Sequence, residues 1–264
     1  MRKVVCYYEQ SIKEYVVTEE KSSEIIIHSH SSKQFYAIKK YLCRFDNKAV
    51  FRGQNKDWKL IASIFRDEFQ NLRNNEEEYY QNVKRDHALE LSSYRNYYEL
   101  WSQMQHFGYP TRLLDVTTNM FKALAFMIEG NVIIEDDIPP CIYIFEPKSR
   151  NRVYTHEMIN VVDYNTLFNN KYPLVIPPNN QQVNIRLHAQ SGQFIFFDSM
   201  LLSEEEHIEM LEKMYHITKI SVKFMSLLEI EKIEEKLKEY GYGVETLYPD
   251  MIKRSDYYKY HWNK

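Results

Sequence analysis

Glycine is scarce in this chain, at six residues of 264, and proline is nearly as rare at eight. Long flexible linkers and collagen-like order are thereby excluded. Cysteine occurs three times, as Cys6, Cys43 and Cys141, far apart and without a Cys-x-x-Cys pair. That count argues against a disulfide framework or a cysteine-rich zinc site and fits a reducing compartment. No window comes near the roughly 20 consecutive apolar residues of a membrane span. The opening MRKVVCYYEQ lacks the apolar run of a signal peptide, so the cytoplasm is the expected location, with no membrane partner. The formal net charge of −3 is too small for a protein that lives on attraction to a phosphate backbone, although a local basic groove remains compatible with it.

Familiar site motifs are missing as well. There is no G-x-G-x-x-G after a strand, no phosphate-binding P-loop, no H-E-x-x-H and no G-x-S-x-G. His28 and His30 have no nearby metal-ligating partner and read as surface or cap residues, so no metal is expected. Cys43 in YLCRF and Cys141 in PPCIYIF stand in apolar surroundings, which predicts buried, inert thiols.

Apolar residues make up 44% of the chain and aromatic ones 15%, including 22 Tyr and 14 Phe, enough for a sizeable core. Residues 3–8 and 24–28 read as strands. Residues 33–45 keep helical spacing through Phe35, Ile38, Leu42 and Phe45, and residues 50–53 read as a short strand ending on Gly53. Residues 58–69 predict an amphipathic helix. Residues 76–108 contain no break until Gly108, followed by Pro110, and predict one long helix or two in series. The apolar pattern from Met120 to Glu129 predicts a central helix, and residues 141–145 a buried strand ended by Pro147. Residues 147–180 look loop-rich, with a short helix near 157–168. Residues 185–197 predict one or two strands around Gly192. Ser203 and Glu206 resemble a capping box, residues 216–222 alternate as a strand, and residues 228–241 form an amphipathic helix stopped by Gly241. Residues 245–248 look strand-like. Strands and helices mix without a regular βαβ rhythm, so the expected fold is α+β, a mixed or antiparallel central sheet flanked by helices, in a single domain over residues 1–264.

Four clusters can carry chemistry. In Phe51-Arg52-Gly53-Gln54, a strand ending in Arg-Gly presents a guanidinium fork, and the missing Cβ lets a ligand reach the backbone. A structural ion pair beside a turn glycine explains the same residues. In Gln105-His106-Phe107-Gly108-Tyr109-Pro110-Thr111-Arg112-Leu113-Leu114-Asp115, polar residues flank a forced bend. Asp115 is expected to cap the helix that follows, and Arg112 with Arg52 to clamp a diphosphate near that helix start. The bland alternative is an Arg112–Asp115 pair. Alternation places Arg186, His188 and Gln190 on one face of a strand ahead of Phe194. Glu245 follows Gly241 and Gly243 in an apolar strand pattern, either as surface alternation or as a carboxylate aimed into a cleft.

These clusters, in this order, resemble the FRG domain family, named for its Phe/Tyr-Arg-Gly motif. Ala62-Ser63-Ile64-Phe65-Arg66 is similar to a "PSLFR"-like segment. Trp101 with Gln105 to Asp115 resembles the hallmark "W…QHxGxPTRLLDWT". Ala123-Leu124-Ala125-Phe126 resembles "ALYFA", Arg186 with Gln190 to Phe194 resembles "R…QxGxF", and Leu247-Tyr248-Pro249-Asp250 resembles "LFPD". The resemblance covers about residues 33–250, leaving 1–32 as an N-terminal strand extension. Val116 replaces a usual Trp, Met120 a frequent Pro, and Met251-Ile252-Lys253 an acidic-Gly tail.

The family's layout is similar to that of ADP-ribosyltransferase folds, with a split sheet, which implies NAD as substrate and no metal. Under that resemblance the protein is an ADP-ribosyltransferase or NAD glycohydrolase of toxin or defence type in a bacterium, with a protein or nucleic acid as possible acceptor. Arg52, Gly53, Gln54, Gln105, Thr111, Arg112, Asp115, Arg186 and Gln190 would then bind the dinucleotide, and Tyr109 or Phe194 would stack on nicotinamide. Glu245 and His106 would be the catalytic pair, with Glu245 stabilising an oxocarbenium-like charge. The alternative is a regulatory module that binds a nucleotide or nucleic acid without chemistry.

Overall fold

The structure is a computed structural model, and it describes residues 1–20, 25–28, 33–45, 47–91, 96–130, 138–148, 174–176, 185–197 and 203–249. Short runs of β-branched and aromatic residues become strands that, among the described residues, join one nine-stranded sheet. The strands are β1 (Arg2–Glu9), β2 (Glu14–Glu19), β3 (Ile25–His28), β4 (Val50–Gln54), β5 (Leu113–Thr117), β6 (Cys141–Pro147), β7 (Leu174–Ile176), β8 (Gly192–Phe196) and β9 (Tyr215–Val222). Their order is β3-β2-β1-β9-β6-β4-β5-β8-β7. β1 and β9 run parallel, and the other neighbours are antiparallel. The fold is α+β with a mixed sheet.

The sheet is covered on both faces. Along β6, Cys141, Tyr143 and Phe145 enter one core while Ile142 and Ile144 enter the other, as a period-2 element must when both faces are buried. One face carries α1 (Gln34–Leu42), α6 (Met120–Ile128) and α9 (Leu227–Glu239). The other carries α3 (Glu76–Asp86), α5 (Tyr97–His106) and α8 (Glu204–Met214). Ser203 and Glu206 do form a capping box at the start of α8, and Gly241 ends α9 with φ 78.

β4 and β5 meet at a single registered pair among the described residues, Phe51 opposite Thr117. Beyond it the two strands diverge, whereas β4 pairs along its whole length with β6, and β5 along its whole length with β8. The sheet therefore opens into a notch at Arg52 and Gly53, facing Asp115 and Val116. The guanidinium of Arg52 bridges the notch, its Nη1 donating to the Asp115 carbonyl at 2.8 Å.

Several local expectations are corrected. Residues 58–69 form no amphipathic helix. They run irregularly into two 3₁₀ turns, Ser63–Phe65 and Asp67–Phe69, followed by the short α2 (Gln70–Asn74). Tertiary partners take the backbone donors instead: Leu60 N donates to Glu204 Oε1 at 2.7 Å and Ile64 N to Thr111 O at 3.1 Å. The long pattern 76–108 is cut into α3, α4 (Ala88–Leu91) and α5. Asn96 restarts the helix by accepting from Glu99 N, a competition with the backbone that needs neither Gly nor Pro. Residues 185–189 form a helical turn, α7 (Ile185–Ala189), and only 192–196 are strand. Residues 245–248 are not strand, because Val244–Thr246 is a 3₁₀ turn. The segment after Pro110 is strand β5, so Asp115 caps no helix. Asn119 does, accepting from the backbone N–H of Phe121 and Lys122.

Cys43 is exposed at the end of α1, against the expectation of a buried thiol, while Cys6 and Cys141 are buried and their thiols are raised by burial. The expected short helix near 157–168 and His30, read as a surface or cap residue, lie outside the described residues. Among the described residues no helix is long and apolar enough to cross a membrane.

Candidate functional site

The notch between β4 and β5 deepens into a cavity of about 290 Å³. This is near the lower end of the roughly 300–1,000 Å³ of small-molecule sites. Each wall comes from a different element. β4 supplies Arg52 and Gly53, α5 supplies Gln105 and His106, β5 supplies Asp115, α7 supplies Arg186 with Gln190 just beyond it, β8 supplies Phe194, and the segment after α9 supplies Tyr248.

Arg52 is held rather than free. Its Nε donates to Gln54 Oε1 at 2.9 Å, its Nη1 donates to the Asp115 carbonyl, and Asp115 Oδ2 lies 3.9 Å away. Burial pulls its affinity for the proton below the ordinary arginine value, and the nearby Asp115 opposes that pull. About a fifth of the side chain, 21%, stays exposed toward the cavity. Gln54 is buried and outside the cavity lining, and its amide reaches back to the Trp58 carbonyl at 2.9 Å. It orients Arg52 and is not itself in the ligand space.

A second brace runs behind Asp115. Thr111, fully buried, donates its hydroxyl to Gln105 Oε1, and Gln105 Nε2 donates to Asp115 Oδ2 at 2.8 Å. The two contacts fix which end of the Gln105 amide points where. Thr111 thus supports the site without reaching it.

Helical geometry explains the α7 wall. Arg186 and Gln190 are four apart and share a face, while His188 projects elsewhere and is exposed. Arg186 stacks its guanidinium 5.4 Å from the centre of the Tyr248 ring. Tyr248 in turn donates to Glu129 Oε2 at 2.7 Å, and burial together with that carboxylate raises its phenol. Gln190 donates to the Leu247 carbonyl at 3.2 Å, so the wall and the chain segment after α9 are tied together.

Residues 47–133 match the family model of the FRG domain. The chain matches no curated protein and no solved structure. The FRG segment, roughly a third of the chain, supplies Arg52, Gly53, Gln105, His106, Asp115, Thr117 and Phe126 to the cavity. Arg186, Gln190, Phe194 and Tyr248 close it from outside that segment.

Gly53 has a packing role that the sequence alone did not show. A Cβ on Gly53 would be driven into the Ala123 carbonyl and lie 2.8 Å from Met127 N, because α6 rests directly on β4 here. Its missing side chain admits a helix.

Arg112 does not face the cavity. It is sealed in a bidentate ion pair with Glu76, Nε to Oε1 at 2.7 Å and Nη2 to Oε2 at 2.6 Å, under the Phe65 ring. The two side chains are 4% and 2% exposed. The expected two-arginine clamp of Arg52 with Arg112 is therefore corrected, and the second cleft arginine is Arg186. Tyr109 faces a different cavity of about 310 Å³ and contacts His87 Nε2 at 2.7 Å, so it stacks on nothing in the notch. Among the described residues, that second cavity has no arginine in its lining.

Glu245 also stands outside the notch. Its 3₁₀ turn folds the carboxylate back against Gly243, and Oε2 is shut from solvent without a hydrogen-bond partner among the described residues. Among the described residues, the carboxylate that the notch holds is Asp115. No group of three or more metal-ligating side chains occurs among the described residues. Ser102, Phe126 and Tyr248 are lining residues that the sequence reading left unassigned. Ser102 stands three and four residues before Gln105 and His106, a helical spacing that would have pointed to it.

Proposed function

We propose that this chain binds a phosphorylated nucleoside in the notch between β4 and β5. One observation carries the reading: Arg52 and Arg186, far apart in sequence, enter one open cavity that also has aromatic walls from Phe194, Phe126 and Tyr248. Guanidinium groups recognise phosphate through paired donors, and the rings offer a face to a base. The volume encloses one nucleotide unit, so a dinucleotide such as NAD would extend past the rim.

Cleavage of NAD at the nicotinamide–ribose bond is the reaction implied by the likeness to ADP-ribosyltransferases. His106 and Asp115 are the groups of this cavity able to assist it, since Glu245 stands outside the lining.

The test is calorimetric titration with NAD, ADP-ribose, AMP and ATP, followed by chromatography for released nicotinamide. At least one nucleotide should bind, and Arg186→Gln should weaken it by about tenfold or more, the worth of a hydrogen bond to a charged group. Binding of none of the four by the folded protein would overturn the reading. Binding without nicotinamide release leaves a nucleotide-binding module.

A further inference from the structure

An arginine-lined cavity built for bare phosphate would exclude carboxylates, yet Asp115 stands inside this one. It is the exposed position on an otherwise buried strand: Leu114 and Val116 are in the core and the Asp115 side chain is 58% exposed. Arg52 does not neutralise it by a close pair. The guanidinium's hydrogen bonds go to Gln54 and to the Asp115 main-chain carbonyl, and the carboxylate oxygen remains 3.9 Å away. Gln105 fixes one oxygen, Oδ2, at 2.8 Å, and Oδ1 has no hydrogen-bond partner among the described residues. An ionised carboxylate only accepts, so the complementary ligand group must donate.

Resting on the nucleotide reading, we infer that Asp115 makes the cavity specific for a ribonucleotide, accepting hydrogen bonds from the vicinal 2′ and 3′ hydroxyls while the arginines hold the phosphate. Two adjacent hydroxyl donors match one carboxylate, and a negative group placed there would meet repulsion at short range. The Thr111–Gln105–Asp115 relay sets the carboxylate's angle before any ligand arrives, which lowers the ordering needed on binding. Bare pyrophosphate lacks the vicinal hydroxyl pair, brings negative charge toward the carboxylate, and is selected against. Asp115 is thus a specificity-determining residue.

The experiment compares AMP, its 2′,3′-dideoxy analogue and inorganic pyrophosphate by calorimetry on the full chain and on Asp115→Asn. The unmodified protein should prefer AMP over the dideoxy analogue by at least about tenfold. In Asp115→Asn that preference should shrink to within about threefold, and pyrophosphate should bind more tightly than before. Equal affinity of the unmodified protein for AMP and its dideoxy analogue overturns the inference without any variant. So does an undiminished preference in a folded Asp115→Asn. If the unmodified protein binds no nucleotide at all, the function proposed above falls and takes this inference with it, a result distinct from binding without ribose discrimination.

Discussion

Removing the charge of Arg112 separates a structural arginine from a ligand-binding one. In Arg112→Gln, Glu76 keeps its negative charge at a site where its side chain is 2% exposed. It also loses both guanidinium donors, leaving the Tyr80 hydroxyl at 2.6 Å as its remaining donor among the described residues. The Phe197 carbonyl loses its 3.3 Å contact and the Phe65 ring its cation. Breaking a buried ion pair from one side costs about 3–5 kcal/mol. Against a total stability of about 5–15 kcal/mol, this is a large share. At about 2–4 °C per kcal/mol for a chain of this size, the melting temperature should fall by about 6–20 °C. Urea unfolding followed by tryptophan fluorescence should show a lower midpoint with an unchanged slope. Nucleotide affinity of the folded fraction should change by less than about threefold, because Arg112 lies outside the cavity lining. Glu76→Gln should lose stability on the same scale. A variant of Arg112 that keeps its urea midpoint and loses nucleotide binding would refute the reasoning.

Gly53→Ala should destabilise by about 3 kcal/mol or more, since the new methyl meets the backbone of α6, which cannot swing aside as a side chain can. Thermal melting checks this, and a fully stable Gly53→Ala protein with lost binding would return the glycine to the ligand. His207 should make stability pH-dependent. It lies between the Phe65 and Phe197 rings, donates Nδ1–H to the Ser203 carbonyl, and burial lowers its affinity for the proton from the ordinary 6.5. The unfolded chain then binds the proton more readily, so this stabilisation is complete above about pH 6.5 and is lost as pH falls toward the lowered value. The drop in urea midpoint between about pH 7 and pH 5.5 should be smaller in His207→Gln; an identical drop in both proteins would remove His207 from the explanation.

Much of the fold is legible locally. Alternation in residues 216–222, the apolar run 141–145, the Ser203–Glu206 box and the stop at Gly241 each depend on neighbours within a few residues, and each corresponds to β9, β6, α8 and the end of α9. Residues 185–190 show where that reasoning ends. A six-residue stretch with polar residues at every second place is compatible with a strand or with one helical turn, and the helix sets Arg186 beside Gln190 instead of His188. The pattern after Pro110 shows the same ambiguity, since Leu113-Leu114-Asp115-Val116 could open a helix until β8 pairs with it along its length.

Composition and motif order by themselves determined that the chain mixes helices with a sheet, that part of it resembles the FRG domain, and that Arg52, Gln105, His106, Asp115, Arg186, Gln190 and Phe194 were worth following. Tertiary structure alone decided which arginine meets the cavity. Arg112 is taken by Glu76, 36 residues earlier, whereas Arg186, just before β8, is carried to Arg52 on β4 because β5 pairs with both strands. A guanidinium satisfied in the core and one presented to a ligand look identical in a string of letters. Their difference is the distance to a carboxylate that only folding brings near.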